Sequence, residues 1–165
     1  MSERKLYSEL IKKAETYIPK DKLPYIKEAY KFAKEKHKGQ IRQSKQSYIT
    51  HPLSVAIILT ELEQDVPSLM AALLHDVIED CHVKESELKD LFGDEVAFLV
   101  KGVTKLGKFT FESKEEEQVE NFRKMLVAMA KDIRVIFIKL ADRLHNMRTI
   151  KYLSDDRQQK IAQET

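Results

Sequence analysis

IRVIFIKLADRLHNMRTI, residues 133–150, is the stretch on which the fold class turns. Its first six residues, Ile133 to Ile138, are β-branched and aromatic enough to pass for a strand. No second run of that kind stands elsewhere in the chain to pair with it, and a lone strand leaves its backbone N–H and C=O groups unmet. Beyond Ile138 the apolar residues recur three and four apart, so the spacing predicts one long helix from Ile133 to Ile150. The expectation is an all-α chain, a compact multi-helix bundle.

Helical spacing recurs on both sides of that stretch. Leu6, Leu10, Ile11 and Ala14 mark a short first helix, and Pro24 opens a second that runs towards His37 and stops near Gly39. Residues 39–47 have no amphipathic period and read as a loop. Thr50-His51-Pro52 reads as a helix start, since a proline in the first turn gives up an N–H that has no partner there. The helix that follows, to about Leu62, is apolar on most sides, which predicts a central position. Asp65-Val-Pro67-Ser68 restarts the chain into one helix, Leu69 to Asp80. Ser86 to Phe92 and Glu95 to Val103 read as two shorter helices separated at Gly93. Residues 104–116 are weakly patterned and read as a mobile loop, after which Glu117, Phe122, Met125, Leu126 and Met129 resume a helical period. Ser154 signals a last helix with few residues left to fill it, so the chain is expected to be a fragment cut from something longer.

Composition narrows the function. At 165 residues the chain fits one domain (1–165) with a core of its own. Lys+Arg at 29 against Asp+Glu at 27 leaves a net charge of +2, far from the basic excess of a protein that grips nucleic acid. The single cysteine, Cys81, excludes an internal disulfide framework and a cysteine-rich zinc module. No signal peptide or run of 18 apolar residues is present, so a cytoplasmic setting without membrane contact is expected.

Polar groups inside apolar helices carry the chemistry. His75, Asp76, Glu79 and Asp80 fall within six positions, and His75/Glu79 and Asp76/Asp80 are i, i+4 pairs on shared faces. Three carboxylates that close raise one another's pKa unless a cation sits among them, and a metal is the economical explanation. The bland reading is an exposed acidic helix end. His51 at the start of one apolar helix and Asp142 inside another add two more ligand types from two more helices. Two imidazoles and two carboxylates suit Mn²⁺, Fe²⁺ or Mg²⁺ better than a structural zinc. Asp142, Asn146 and Thr149 form a polar stripe at i, i+4, i+7, whose bland reading is a solvated face with Asp142 paired to Arg143. His37, His82 and His145 read as packed, hydrogen-bonded residues and stay outside the site.

The order and spacing of His51, His75-Asp76 and Asp142 resemble the HD superfamily of metal-dependent phosphohydrolases. Five ordered motifs resemble, more closely, the hydrolase domain of the RelA/SpoT family. They are His37-Lys-Gly39-Gln-Ile-Arg42, Tyr48-Ile-Thr-His51-Pro52, Leu74-His-Asp-Val-Ile-Glu-Asp80, Gly102-Val-Thr-Lys-Leu-Gly107 and Lys139-Leu-Ala-Asp-Arg-Leu-His-Asn-Met-Arg-Thr149. The resemblance runs from about residue 25 to the last residue. It implies an HD-domain bundle that removes the 3′ pyrophosphate from guanosine tetra- and pentaphosphate, (p)ppGpp, using Mn²⁺. It implies His51, His75, Asp76 and Asp142 as metal ligands, Glu79 and Asp80 acting on the attacking water, and Arg42, Ser44, Asn146 and Thr149 lining the nucleotide pocket. It also implies a bifunctional parent in which synthetase (GTP pyrophosphokinase) and regulatory domains lie beyond this piece. The chain departs from the family's commonest pattern at Gln43, Lys45 and Ser47, where a basic residue, Gly and Pro are expected, and at Cys81, where Thr is expected.

Two rival functions fit parts of the same pattern. One is another HD-type nucleotide phosphohydrolase, which the Gly39–Arg42 and Thr149 motifs argue against. The other is a nucleotide-binding regulatory domain with little activity, against which the intact ligand set argues.

Overall fold

The computed structural model describes residues 2–107 and 131–164, together with Arg123 and Val127. Helix α1 (Glu3–Ala14) buries Leu6, Leu10 and Ala14, and α2 (Leu23–Lys36), with Pro24 in its first turn, buries Ile26, Ala29 and Ala33. There follow α3 (Thr50–Thr60), α4 (Val66–Leu74), α5 (Val77–Cys81), α6 (Glu85–Gly107), α7 (Arg134–Arg148) and α8 (Asp155–Glu164). Among the described residues there is no strand, only an isolated antiparallel bridge between Ile41 and Ser47. The all-α expectation holds, and residues 134–148 are helical despite their strand-like opening.

Helix α3 lies at the centre because it has no polar face to show water: every residue from Thr50 to Thr60 except Ser54 is buried. It packs against α1, α4 and α7, while α4 also packs on α2 and α6. Asp65 caps α4 by accepting the Ser68 N–H at 3.0 Å. Arg134 ties the start of α7 down, donating to Asp132, Asp65 and Glu95 at 2.6–2.8 Å. Gly102 lets α6 and α7 meet closely, since a Cβ there would stand 2.8 Å from Val135 Cγ2.

Two local readings change. The helix expected over Leu69–Asp80 is two helices, with its hydrogen bonding interrupted at His75–Asp76. Both residues keep right-handed dihedrals, but Asp76 opens to φ −95°, ψ −8°, so the apolar period runs on across a joint it cannot register. Gly93 separates two helical halves as expected, through φ 86° and ψ 167°, a conformation that strains any residue with a side chain. The second half runs past Val103 to Gly107, so residues 104–107, expected in a loop, are helical; Thr104 bonds back to Val100 O and is buried. The loop expected over 108–116 and the helical period from Glu117 to Met129 lie outside the described residues, apart from Arg123 and Val127, which are helical. No helix among the described residues is long and apolar enough to cross a membrane.

Candidate active site

Three places in the helix bundle converge on one point. The first turn of α3 delivers His51, the joint between α4 and α5 delivers His75 and Asp76, and the middle of α7 delivers Asp142. Ligand atoms of His51, His75 and Asp142 all lie within 4.8 Å of one another, and all three residues are buried. His51 Nε2 stands 3.2 Å from Asp142 Oδ1 and 3.6 Å from Asp76 Oδ2. His75 Nε2 stands 3.1 Å from Asp76 Oδ1 and 3.9 Å from Asp142 Oδ1. The four residues expected to share an ion are together.

Their chemistry fits a divalent cation. His75 donates its Nδ1–H to Ala72 O at 2.8 Å, which leaves Nε2 as the atom that would offer a lone pair to an ion. That atom is buried and has no hydrogen-bond partner, although two carboxylates face it. Asp142 is held on three sides, by Lys139 Nζ at 3.0 Å, Asn146 Nδ2 at 2.8 Å and His51. Lys139 is thus a salt-bridge partner of Asp142.

The local field favours positive charge at this point. Burial pushes His75 down, but the carboxylate of Asp76 overrides it and raises the ring to about 9. Burial pushes Asp76 and Asp142 up. The charge of His75 on Asp76, and the His51 hydrogen bond on Asp142, drive both well below the ordinary carboxylate range. At Asp76 the raising expected of clustered carboxylates is thus outweighed by the imidazole of His75. His51 is lowered, by burial first.

Around this centre opens a cavity of about 450 Å³. Glu79, Asp80, Arg42, Ser44, Asn146 and Thr149 all line it, as do His51, Asp76 and Asp142; His75 lies beneath its floor. Arg42 Nη2 donates to Asn146 Oδ1 at 3.3 Å, linking the loop before α3 to α7. That loop is a tight turn closed by Lys45 N–H to Arg42 O at 2.8 Å, and by Arg42 N–H to Gln46 O at 2.9 Å. Lys45 has φ 61°, the left-handed conformation in which such a turn favours glycine. The departure at position 45 therefore places a strained lysine where glycine is at ease.

Tyr48, Lys139 and His145 complete the site and escaped the sequence reading as site residues. The Tyr48 hydroxyl lies 2.8 Å from Asp76 Oδ2 and 2.6 Å from Asp80 Oδ2, sharing its proton between them. Burial, then the charge of Asp76, raises its pKa far above the ordinary phenol value, so it stays a donor. His145 Nδ1 lies 2.7 Å from His51 Nδ1, and burial, then His51 and Arg42, lowers it to about 3. Tyr48 and Lys139 stand inside quoted motifs, and His145 sits at i+3 from Asp142. That helical offset was the available signal.

The sequence matches the HD-domain family model over residues 29–165. It is 52% identical over 160 residues to the bifunctional (p)ppGpp synthase/hydrolase SpoT of Escherichia coli K12, a match covering 97% of this chain and 23% of that protein. It is 55% identical over 152 residues to a GTP pyrophosphokinase of Myxococcus xanthus, covering 90% of this chain and 20% of that one. The chain thus spans about a quarter or less of the length of these curated relatives. Among solved structures it resembles a metazoan SpoT orthologue described as hydrolysing ppGpp. There the TM-score is 0.62 and the identity 31%, covering 82% of this chain and 78% of the other.

Proposed function

This chain belongs to the RelA/SpoT branch of the HD-domain family, and we propose that it removes the 3′ pyrophosphate from (p)ppGpp with Mn²⁺ as its ion. The observation that supports this reading is the meeting, on one cavity, of a mixed histidine–carboxylate cluster, two further carboxylates and an arginine on a loop. His51, His75, Asp76 and Asp142 would hold the ion. When bound, a divalent cation supplies Lewis acidity, offsetting phosphate charge and making water a better nucleophile at neutral pH.

The chain's own groups do the rest. Asp80 has one oxygen engaged by the Tyr48 hydroxyl, which leaves the other to orient water and take its proton, with Glu79 beside it on the cavity wall. The water oxygen bonds to the 3′ α-phosphorus and the bond to the ribose 3′ oxygen breaks. That oxygen takes a proton, giving GDP or GTP and pyrophosphate. Arg42 offers a guanidinium plane at the mouth for the guanine or a phosphate, and Ser44, Asn146 and Thr149 supply polar edges around it. The setting we propose is the cytoplasm, within a longer parent that also carries synthetase and regulatory domains, as the relatives' length and names suggest.

The test is to incubate the purified chain with Mn²⁺ and ppGpp and identify the products. GDP and pyrophosphate, lost in Asp76→Ala and in chelator, are expected. Undiminished turnover in either, or preference for a 5′ nucleotide in a substrate panel, overturns the assignment. Nucleotide binding with no phosphate release in the presence of Mn²⁺ would favour a regulatory domain instead.

A further inference from the structure

The two imidazoles at the centre are held differently. His75 has a backbone carbonyl, Ala72 O, for its Nδ1–H. His51 stands in the first turn of α3, and its Nδ1 meets another side chain, the Nδ1 of His145 at 2.7 Å. Two ring nitrogens that close need one proton between them, carried by one ring and accepted by the other. His145 lies three residues after Asp142 on α7, so one helix grips both edges of the His51 ring: Asp142 Oδ1 at Nε2 and His145 at Nδ1.

We infer that His145 is a positioning residue for the metal centre: when an ion takes the place of the proton between His51 Nε2 and Asp142, His145 accepts the Nδ1–H of His51 and so turns the Nε2 lone pair towards the ion. A neutral imidazole has one N–H, and fixing it at Nδ1 is what frees Nε2. The His145 ring also borders a second cavity of about 280 Å³, with Arg42 and Arg148. The inference rests on the reading of His51 as a ligand, and the experiment separates the two.

Mn²⁺ dissociation constants are measured by calorimetry on the full chain and on His145→Asn, His145→Gln, His145→Phe and His51→Ala, with metal-free melting curves for each. Asparagine can set an acceptor near the place of Nδ1, and its affinity is expected within a few-fold of the parent. Phenylalanine keeps the ring but no acceptor and is expected to weaken binding about 10–100-fold, as loss of an outer partner does. Glutamine, whose amide sits one bond further out, is expected to fall with phenylalanine. Unchanged affinity in His145→Phe, or equal losses in Asn and Phe with melting preserved, overturns the inference. Should His145→Phe fail to fold, the Asn/Gln pair decides: equal affinities there overturn it. His51→Ala binding Mn²⁺ like the parent would sink the ligand reading itself. A loss confined to His51→Ala sinks only the role of His145.

Discussion

The floor and the rim of the cavity are built by different means. On the floor, the side chains of His51, His75 and Asp142 are at most 9% exposed, and each stands on or directly beside a helix with extensive apolar packing. On the rim, Gln43, Lys45, Gln46 and Ser47 are exposed, and the turn is secured by a few backbone hydrogen bonds with one residue in the left-handed region. Every departure from the family pattern except Cys81 falls on the rim. On the function proposed above, ion chemistry rests on the packing of the bundle and selectivity on a loop.

The contrast can be broken or sharpened in steps. The largest effect is expected on the floor: Asp142→Ala should lower kcat for ppGpp by about 10³-fold or more, because Lewis-acid stabilisation is worth several kcal/mol. Steady-state assays at saturating Mn²⁺ check this, and a surviving rate would remove Asp142 from the machinery. Next, Mn²⁺ at a hundred times its Kd should stabilise the parent by about 2.7 kcal/mol and leave Asp142→Ala unmoved, read from melting curves with and without chelator.

On the rim, Arg42→Ala should raise KM about tenfold, near the lower end of a lost charge-assisted hydrogen bond, while Mn²⁺ affinity stays put. A fall in metal affinity there would erase the division between floor and rim. The bundle beneath the floor has its own electrostatic tie. The hydrogen bond from Arg134 holds the Asp132 carboxyl below its ordinary range, although burial opposes it. The folded pKa is depressed, so this stabilisation is complete above the unfolded value near 4 and is lost as pH falls through the folded one. Arg134→Met should cost about 0.5–1 kcal/mol at neutral pH and flatten the acid limb of a denaturation series.

The smallest effect belongs to Lys45. The left-handed conformation costs a residue with a side chain about 1–2 kcal/mol, and glycine gives back about 0.5–1 kcal/mol of that in chain entropy. Lys45→Gly should therefore raise stability by about 0.5–1 kcal/mol, measured by urea denaturation. A loss would mean that the lysine makes a contact worth more than its strain.

Much of the floor was legible in the sequence because its residues contradict their neighbours. A histidine, an aspartate or a His-Asp pair inside an apolar helix has few explanations, and position along the helix then gives its face. The helix joint at His75–Asp76 was not legible, since both residues keep right-handed dihedrals and the apolar period continues into Val77 and Ile78. His145 and Lys139 were missed for a different reason. They contact the ligands and not the space an ion would fill, and polar residues on a half-exposed helix give no sign of which neighbour they serve. Tyr48 needed the folded loop, because its two carboxylate partners lie 28 and 32 residues away in sequence.

Gly102 gives the floor its gauge. Val135, against which it lies, is seven residues before Asp142, two turns along nearly the same face of α7 and roughly 10 Å up the axis. How far the carboxylate reaches towards the two imidazoles is thus inherited from a contact outside the cavity, where the smallest residue sets the spacing between two rods. A single methyl at that contact would act like a shim, and the shim's thickness would be felt where the ligand atoms meet.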